Sequence, residues 1–200
     1  AIAPAAVFTL AIAALTPMGL LGGSVQLIAG GFAAALMVGV TATIAQRAQS
    51  RDLDLLGGMG ARMPKLSWFL ILAGSAVVGV PGFASFIGEA MALFGAFRNQ
   101  PAASFGVALG IVLMTVGLGV LLQRVIFGGI RANSPGASDA SPGEVWYLGL
   151  LVGALLWWGI FPGGPKLGGS VTLFDPGIVN ILNASSSDIG TPYLPEAGAR

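Results

Sequence analysis

Long apolar blocks, each bounded by polar or turn residues, are the dominant pattern in this sequence. The hydrocarbon core of a bilayer is about 30 Å thick and takes about 20 residues of apolar helix to cross. Blocks near that size fall at residues 1–16, 20–46, 66–97, 102–127 and 145–161. The pattern therefore predicts an all-α membrane protein of about five transmembrane helices. The first block is short, apolar from Ala1 onward, and without an initiator Met, a basic leading region or a clear cleavage site. It is expected to be part of a cut helix and not a signal peptide.

The third block is interrupted by Val80-Pro81-Gly82. As one helix it would run about 48 Å, whereas the two halves of about 22 Å each fall short of the hydrocarbon core. One tilted span broken at Pro81 and Gly82 fits better than two. Pro81 removes a backbone hydrogen bond and Gly82 loosens the next position, so the break must lie against protein or a wet cavity and away from lipid.

Composition strengthens this picture. The chain is 55% hydrophobic and only 8% charged, with a mean hydropathy of +0.87, against roughly 25% charged in soluble domains. A net charge of +1 leaves no basic surface for a phosphate backbone, which argues against nucleic acid as a partner. With no Cys and no His, disulfides, thiolate or imidazole metal sites and His-based triads are unavailable. No phosphate-cradling Gly loop or dinucleotide fingerprint is present either.

The remaining charges set an expected orientation. Arg47, Arg51, Arg62 and Lys65 fall in the loop at 47–65, and Arg124 and Arg131 in the next connection on that face, while Arg98, Lys166 and Arg200 lie opposite. The positive-inside rule then places loop 47–65 on the cytoplasmic or matrix side and the C-terminus on the other. Trp68, Trp146, Tyr147, Trp157 and Trp158 sit near span ends, as interfacial aromatics do, although two of them fit equally well as packing residues. The Asn133–Gly143 segment, rich in Ser, Pro and Gly, reads as an unstructured connector. Residues 1–164 would form the bundle and 165–200 a non-cytoplasmic tail, in which Asp175-Pro176 can start a short interfacial helix at about 176–184. Asn183-Ala184-Ser185 matches a glycosylation pattern that is frequent by chance.

Glu89 is the acidic residue left inside an apolar run. It lies about 13 Å along the helix from Arg98. A carboxylate at that depth costs at least a few kcal/mol, so it is expected to be protonated or to meet a cation or water. It reads either as a structural hydrogen-bonding residue or as a proton-exchange site beside the broken helix. The coincidence of break and acid in one span favours the second reading. Gln26, Ser85 and Thr115 are the polar positions grouped with it as a candidate proton pathway, among a scatter that also includes Thr41, Thr43, Ser75 and Gln123. Asp52 and Asp54 read as solvated loop charges. Gly106 with Gly110, and Gly149 with Gly153, have the small-xxx-small spacing of close helix packing.

Several segments together resemble a known family. Gln26-Leu27-Ile28, Arg51-Asp52-Leu53, Leu56-Gly57-Gly58, Met63-Pro64-Lys65-Leu66, Val80-Pro81-Gly82-Phe83, Phe86-Ile87-Gly88-Glu89, Phe94-Gly95-Ala96-Phe97, Arg124-Val125-Ile126-Phe127-Gly128 and Gly159-Ile160-Phe161-Pro162 are similar, in order and spacing, to the C-terminal part of subunit M (chain 4) of proton-pumping NADH-quinone oxidoreductase, respiratory complex I. The resemblance covers roughly residues 1–165. It implies the C-terminal portion of an antiporter-like fold of fourteen helices, with the broken span as the discontinuous helix of a half-channel and the acid matching Glu89 on the proton pathway. It implies other membrane-arm subunits and the lipid bilayer as partners, and flavin and iron–sulfur clusters in partner subunits, with no cofactor, metal or redox centre in this chain. The family usually has a His at the position of Gly30, another near Pro4, and a Phe where Ala90 follows Gly88-Glu89. The expected function is thus a proton half-channel through Glu89 in a bacterial plasma membrane or organellar inner membrane. The alternatives are a structural subunit without proton transfer, or a cation/proton antiporter or membrane-hydrogenase subunit of the same superfamily.

Overall fold

The computed structural model describes residues 2–49, 57–128 and 138–161, and among these all regular structure is helical. The helices are α1 (Ile2–Ala13), α2 (Pro17–Ala48), α3 (Met59–Arg62), α4 (Pro64–Val78), α5 (Ala84–Phe97), α6 (Pro101–Phe127) and α7 (Pro142–Ile160). The expectations for Arg51, Asp52, Asp54, Arg131, Asn183 and the tail helix at 176–184 lie outside the described residues. Three helices, α2, α6 and α7, are each long and apolar enough to cross a membrane.

Proline marks where the chain can start a helix, because its missing N–H falls among donors that have no intrahelical partner anyway. Pro17, Pro64, Pro101 and Pro142 all stand in the first turn of their helices. Thr16 adds a side-chain cap for α2, its hydroxyl accepting from the Gly19 N–H at 3.1 Å. The same hydroxyl donates to the Gly95 carbonyl at 2.9 Å, which ties the start of α2 to the end of α5.

α2 is the axis of the bundle. Its first half lies antiparallel to α5, backbone against backbone. A Cβ on Gly22 would strike the Ala92 amide, one on Gly95 would strike Gly19, and one on Gly88 would come within 2.7 Å of the Gln26 amide nitrogen. Its second half shares a core with α4, where Leu36, Val40 and Ile44 are buried with Leu66, Leu70 and Ala73. α6 follows the same course on another side. Phe105 meets Phe97 of α5 with centroids 6.2 Å apart, and Leu118 and Leu122 pack on Gly74 of α4. Helices α4 and α5 therefore lie end to end as one broken span.

The break begins earlier than the proline. α4 ends at Val78, and Gly79 adopts a left-handed conformation (φ 74°, ψ 48°) as its cap. The Val80 N–H returns to the Ser75 carbonyl at 3.0 Å, so this is a glycine-capped ending with a proline shortly after it. Gly82 has φ 109°, open to glycine and costly for any other residue. The Ser85 hydroxyl donates to the Ala76 carbonyl at 2.5 Å across the break. The Ser75 and Ala76 carbonyls at the end of α4 are thus both satisfied inside the protein, as a break at membrane depth demands. Gly159 of α7 lies so close to the Gly82 carbonyl that a Cβ there would collide with it.

One expectation needs correction. The connector expected to be unstructured is ordered over its described end. Ser141 caps α7 in a full capping box with Glu144, Asp139 accepts from the Lys65 N–H at 3.1 Å and the Leu66 N–H at 3.4 Å, and Arg47 bonds Ser138 and Glu144. The close glycine contacts within this chain fall at other positions. A Cβ on Gly106, Gly110, Gly149 or Gly153 would meet nothing within 4 Å, because those faces of α6 and α7 point away from the rest of this chain.

Candidate functional site

Glu89 stands in α5, on the face turned to α2, and is only 7% exposed. Across from it Gln26, 1% exposed, donates from Nε2 to Glu89 Oε1 at 3.3 Å. Glycines make this meeting possible. A Cβ at residue 88 would lie 2.7 Å from Gln26 Oε1, and one at residue 79 would run into the Glu89 carboxyl group. The acid therefore reaches back from α5 to the capped end of α4, and joins the break to α2.

On its other side Glu89 borders an apolar cleft of about 580 Å³ between α5 and α6, with walls that include Phe86, Phe94, Phe105 and Ile111. Among the described residues Glu89 makes no ion pair; the pair present there is Arg47 with Glu144, at 2.6 Å. Gln26 Oε1 is buried and has no hydrogen-bond partner among the described residues. On α1 and α2, Gly30 faces Pro4, with an added Cβ 3.1 Å from the Pro4 Cβ and 3.9 Å from Gln26 Nε2. The resemblance implies His at Gly30 and near Pro4, and of these Gly30 borders Gln26.

The structure thus brings Gln26 to Glu89 and sets Ser85 one turn before Glu89, bonded to Ala76. Pro81 and Gly82 form the loop above them. It does not bring Thr115 there: its hydroxyl bonds the Ile111 carbonyl of its own helix at 2.8 Å, on the exposed face of α6. Sequence reasoning missed Gly79 and Gly88. Their signals were local, a Gly two residues before Pro81 and a Gly adjoining Glu89, but their effect depends on which helix faces them.

At the opposite end of α2 a polar cluster joins three helices. Arg47 links α2 to α7 through Glu144, Asp139 caps α4, and the Thr43 and Tyr147 hydroxyls lie 2.8 Å apart. Trp158 packs edge-on against Phe32 with centroids 5.3 Å apart. Trp158 is therefore a packing residue, while Trp68, Trp146, Trp157 and, despite its hydroxyl contact, Tyr147 are exposed.

A bundle of membrane-crossing helices around a span broken beside a buried acid is an antiporter-like membrane fold. Residues 1–118 match the family model described as NADH:quinone oxidoreductase/Mrp antiporter, transmembrane, and the chain belongs to that family. NADH-quinone oxidoreductase subunit M of Escherichia coli is 34% identical over 148 residues, covering 70% of this chain and 28% of that protein. The chain thus spans less than a third of the length of this relative. A chain in the structure titled "Respiratory complex I from Thermus thermophilus with bound NADH" has the same fold, with TM-score 0.74 at 24% identity, over 92% of this chain and 37% of that one. One in the membrane-bound sulfane sulfur reductase, an archaeal respiratory membrane complex, aligns with TM-score 0.65 at 20% identity, over 92% and 34%.

Proposed function

We propose that this chain forms part of an antiporter-like membrane-arm subunit of a proton-translocating NADH:quinone oxidoreductase, and that Glu89 carries protons in a half-channel there. The observation that carries the reading is the position of Glu89. It is buried in the half-helix after the break, hydrogen-bonded to Gln26 on the facing helix and bordering a cleft on its other side. An ionisable group at that depth is costly unless it is used or paired, and no cation pairs it among the described residues. Gln26 orients the carboxyl group, and Ser85 holds the break that lets it reach α4. Thr115 stands outside this path. Electron transfer through flavin and iron–sulfur groups belongs, on this reading, to partner subunits. Loop 47–65 faces the cytoplasm or matrix.

The test is Glu89→Gln in the full complex, reconstituted in sealed vesicles. Proton pumping per NADH oxidised is expected to fall severalfold, with the complex assembled and its NADH oxidation by an artificial acceptor unchanged. Unchanged stoichiometry would overturn the role of Glu89.

One contact favours a second reading, a structural subunit without proton transfer. Gly30 and Pro4 close on each other where the resemblance implies titratable His side chains. On that reading Glu89→Gln leaves pumping intact, and the acid serves only to bind α5 to α2.

A further inference from the structure

Away from Glu89, one end of the bundle combines an apolar groove, a buried hydroxyl without a partner among the described residues, and exposed basic residues on the helices that form the groove. The groove, of about 490 Å³, lies where α3, the start of α4 and the end of α6 meet, and Pro64, Trp68, Ile71 and Phe127 are among its walls. Trp68 is 66% and Phe127 80% exposed. Ser67 lines it too, is 4% exposed, and among the described residues its Oγ has no hydrogen-bond partner. Among the described residues it is the buried hydroxyl left without a partner. Thr9, Ser24, Thr43, Ser104 and Thr115 each turn the hydroxyl back to the carbonyl four residues earlier.

Charge gathers at the same end. Lys65 follows Pro64 directly, Arg124 stands one turn before Phe127 and Gly128, and both are exposed. The nearby Asp139 carboxylate is engaged by the amides of Lys65, Leu66 and Ala140. Along α4 the chemistry is ordered by depth. From Lys65, Ser67 lies about 3 Å and Ile71 about 9 Å further along the axis, so cation, hydroxyl donor and apolar wall follow one another inward. A phospholipid has the complementary order of phosphate, ester oxygens and acyl chain. Basic sites between helices near the membrane surface suit anionic headgroups, and a donor buried beside hydrocarbon has no water to satisfy it.

We propose that this groove binds an anionic phospholipid, with its phosphate at Lys65 and Arg124, a glycerol ester oxygen accepting from Ser67, and an acyl chain along Trp68, Ile71 and Phe127. The site does not depend on Glu89 carrying protons.

The test uses the full-length protein in its complex, placed in phosphatidylcholine nanodiscs with dioleoyl phosphatidylglycerol added, and reads lipid retention by native mass spectrometry. About one phosphatidylglycerol per protein should stay bound, undisplaced by phosphatidylcholine or millimolar inorganic phosphate. Lys65→Gln with Arg124→Gln should lower retention about tenfold, Lys65→Arg with Arg124→Lys should restore it, and Ser67→Ala should lower it severalfold. Equal retention in the Gln variant and wild type, equal retention of phosphatidylcholine, or displacement by inorganic phosphate would each overturn the proposal. If the Gln variant fails to assemble, Ser67→Ala together with the two-lipid comparison on wild type decides it.

Discussion

The carboxyl group of Glu89 and the amide of Gln26 share one hydrogen bond of 3.3 Å, and the other end of that amide, Oε1, has no partner among the described residues. A buried polar pair of this kind is costly to break on one side only, because the group left behind keeps its desolvation penalty, about 1–3 kcal/mol. Gln26→Leu is therefore expected to destabilise the protein by about that amount, read from thermal unfolding in detergent. Glu89→Gln keeps a hydrogen-bonding side chain of the same size, so its unfolding temperature should stay near wild type while pumping falls. A neutral Gln26→Leu would mean that the bond contributes nothing. Glu89 was legible in the sequence because one acid inside an apolar block is conspicuous, and Gln26 because it is polar in the second block. What the sequence did not reveal was their contact, since that rests on Gly88 fitting against Gln26 and on Gly79 leaving room for the carboxyl group.

Helix pairs in lipid lack the hydrophobic drive that water supplies, so close backbone approach through small residues carries much of their association. In this bundle the approach belongs to α2 and α5. Gly22→Ala and Gly95→Ala each place a methyl group on the facing backbone, and each is expected to cost about 1–3 kcal/mol through overpacking. Gly106→Ala meets nothing within 4 Å and should be neutral or stabilising by up to about 1 kcal/mol from helix propensity. Comparing the unfolding temperatures of the three variants checks the assignment, and equal losses would remove the distinction between the two faces. The spacing of small residues was visible in both cases; what separates them is which face points inward, and blocks so uniformly apolar hold little information about that. The ordering of the connector was more legible than our reading allowed. Ser141-Pro142-Gly143-Glu144 carries the Ser and Glu of a capping box, a start signal for α7 that its Ser-, Pro- and Gly-rich setting obscured.

At the scale of the molecule, the broken span decides the topology. α4 and α5 are each only about 22 Å long, and either would be too short to cross alone. If they lie end to end, as their shared contacts with α2 and α6 require, the start of α4 and the end of α5 emerge on opposite sides. The cations sort accordingly, with Arg47, Lys65 and Arg124 at one end of the bundle and Arg98 at the other. If α4 and α5 instead formed a re-entrant hairpin, both ends would return to one side, and the count of crossings and the placing of the C-terminus would change together. These 200 residues contain no Cys, so single cysteines introduced here can be read against a background that this segment leaves silent. Lys65→Cys and Asn99→Cys, both in exposed positions at helix ends, should react with a membrane-impermeant maleimide from opposite sides of sealed vesicles. Lys65→Cys is expected to label from the cytoplasmic face, following the excess of Lys and Arg there. Labelling of both from one face would exclude the through-going span and, with it, the continuous path past Glu89 that the proton-transfer proposal requires.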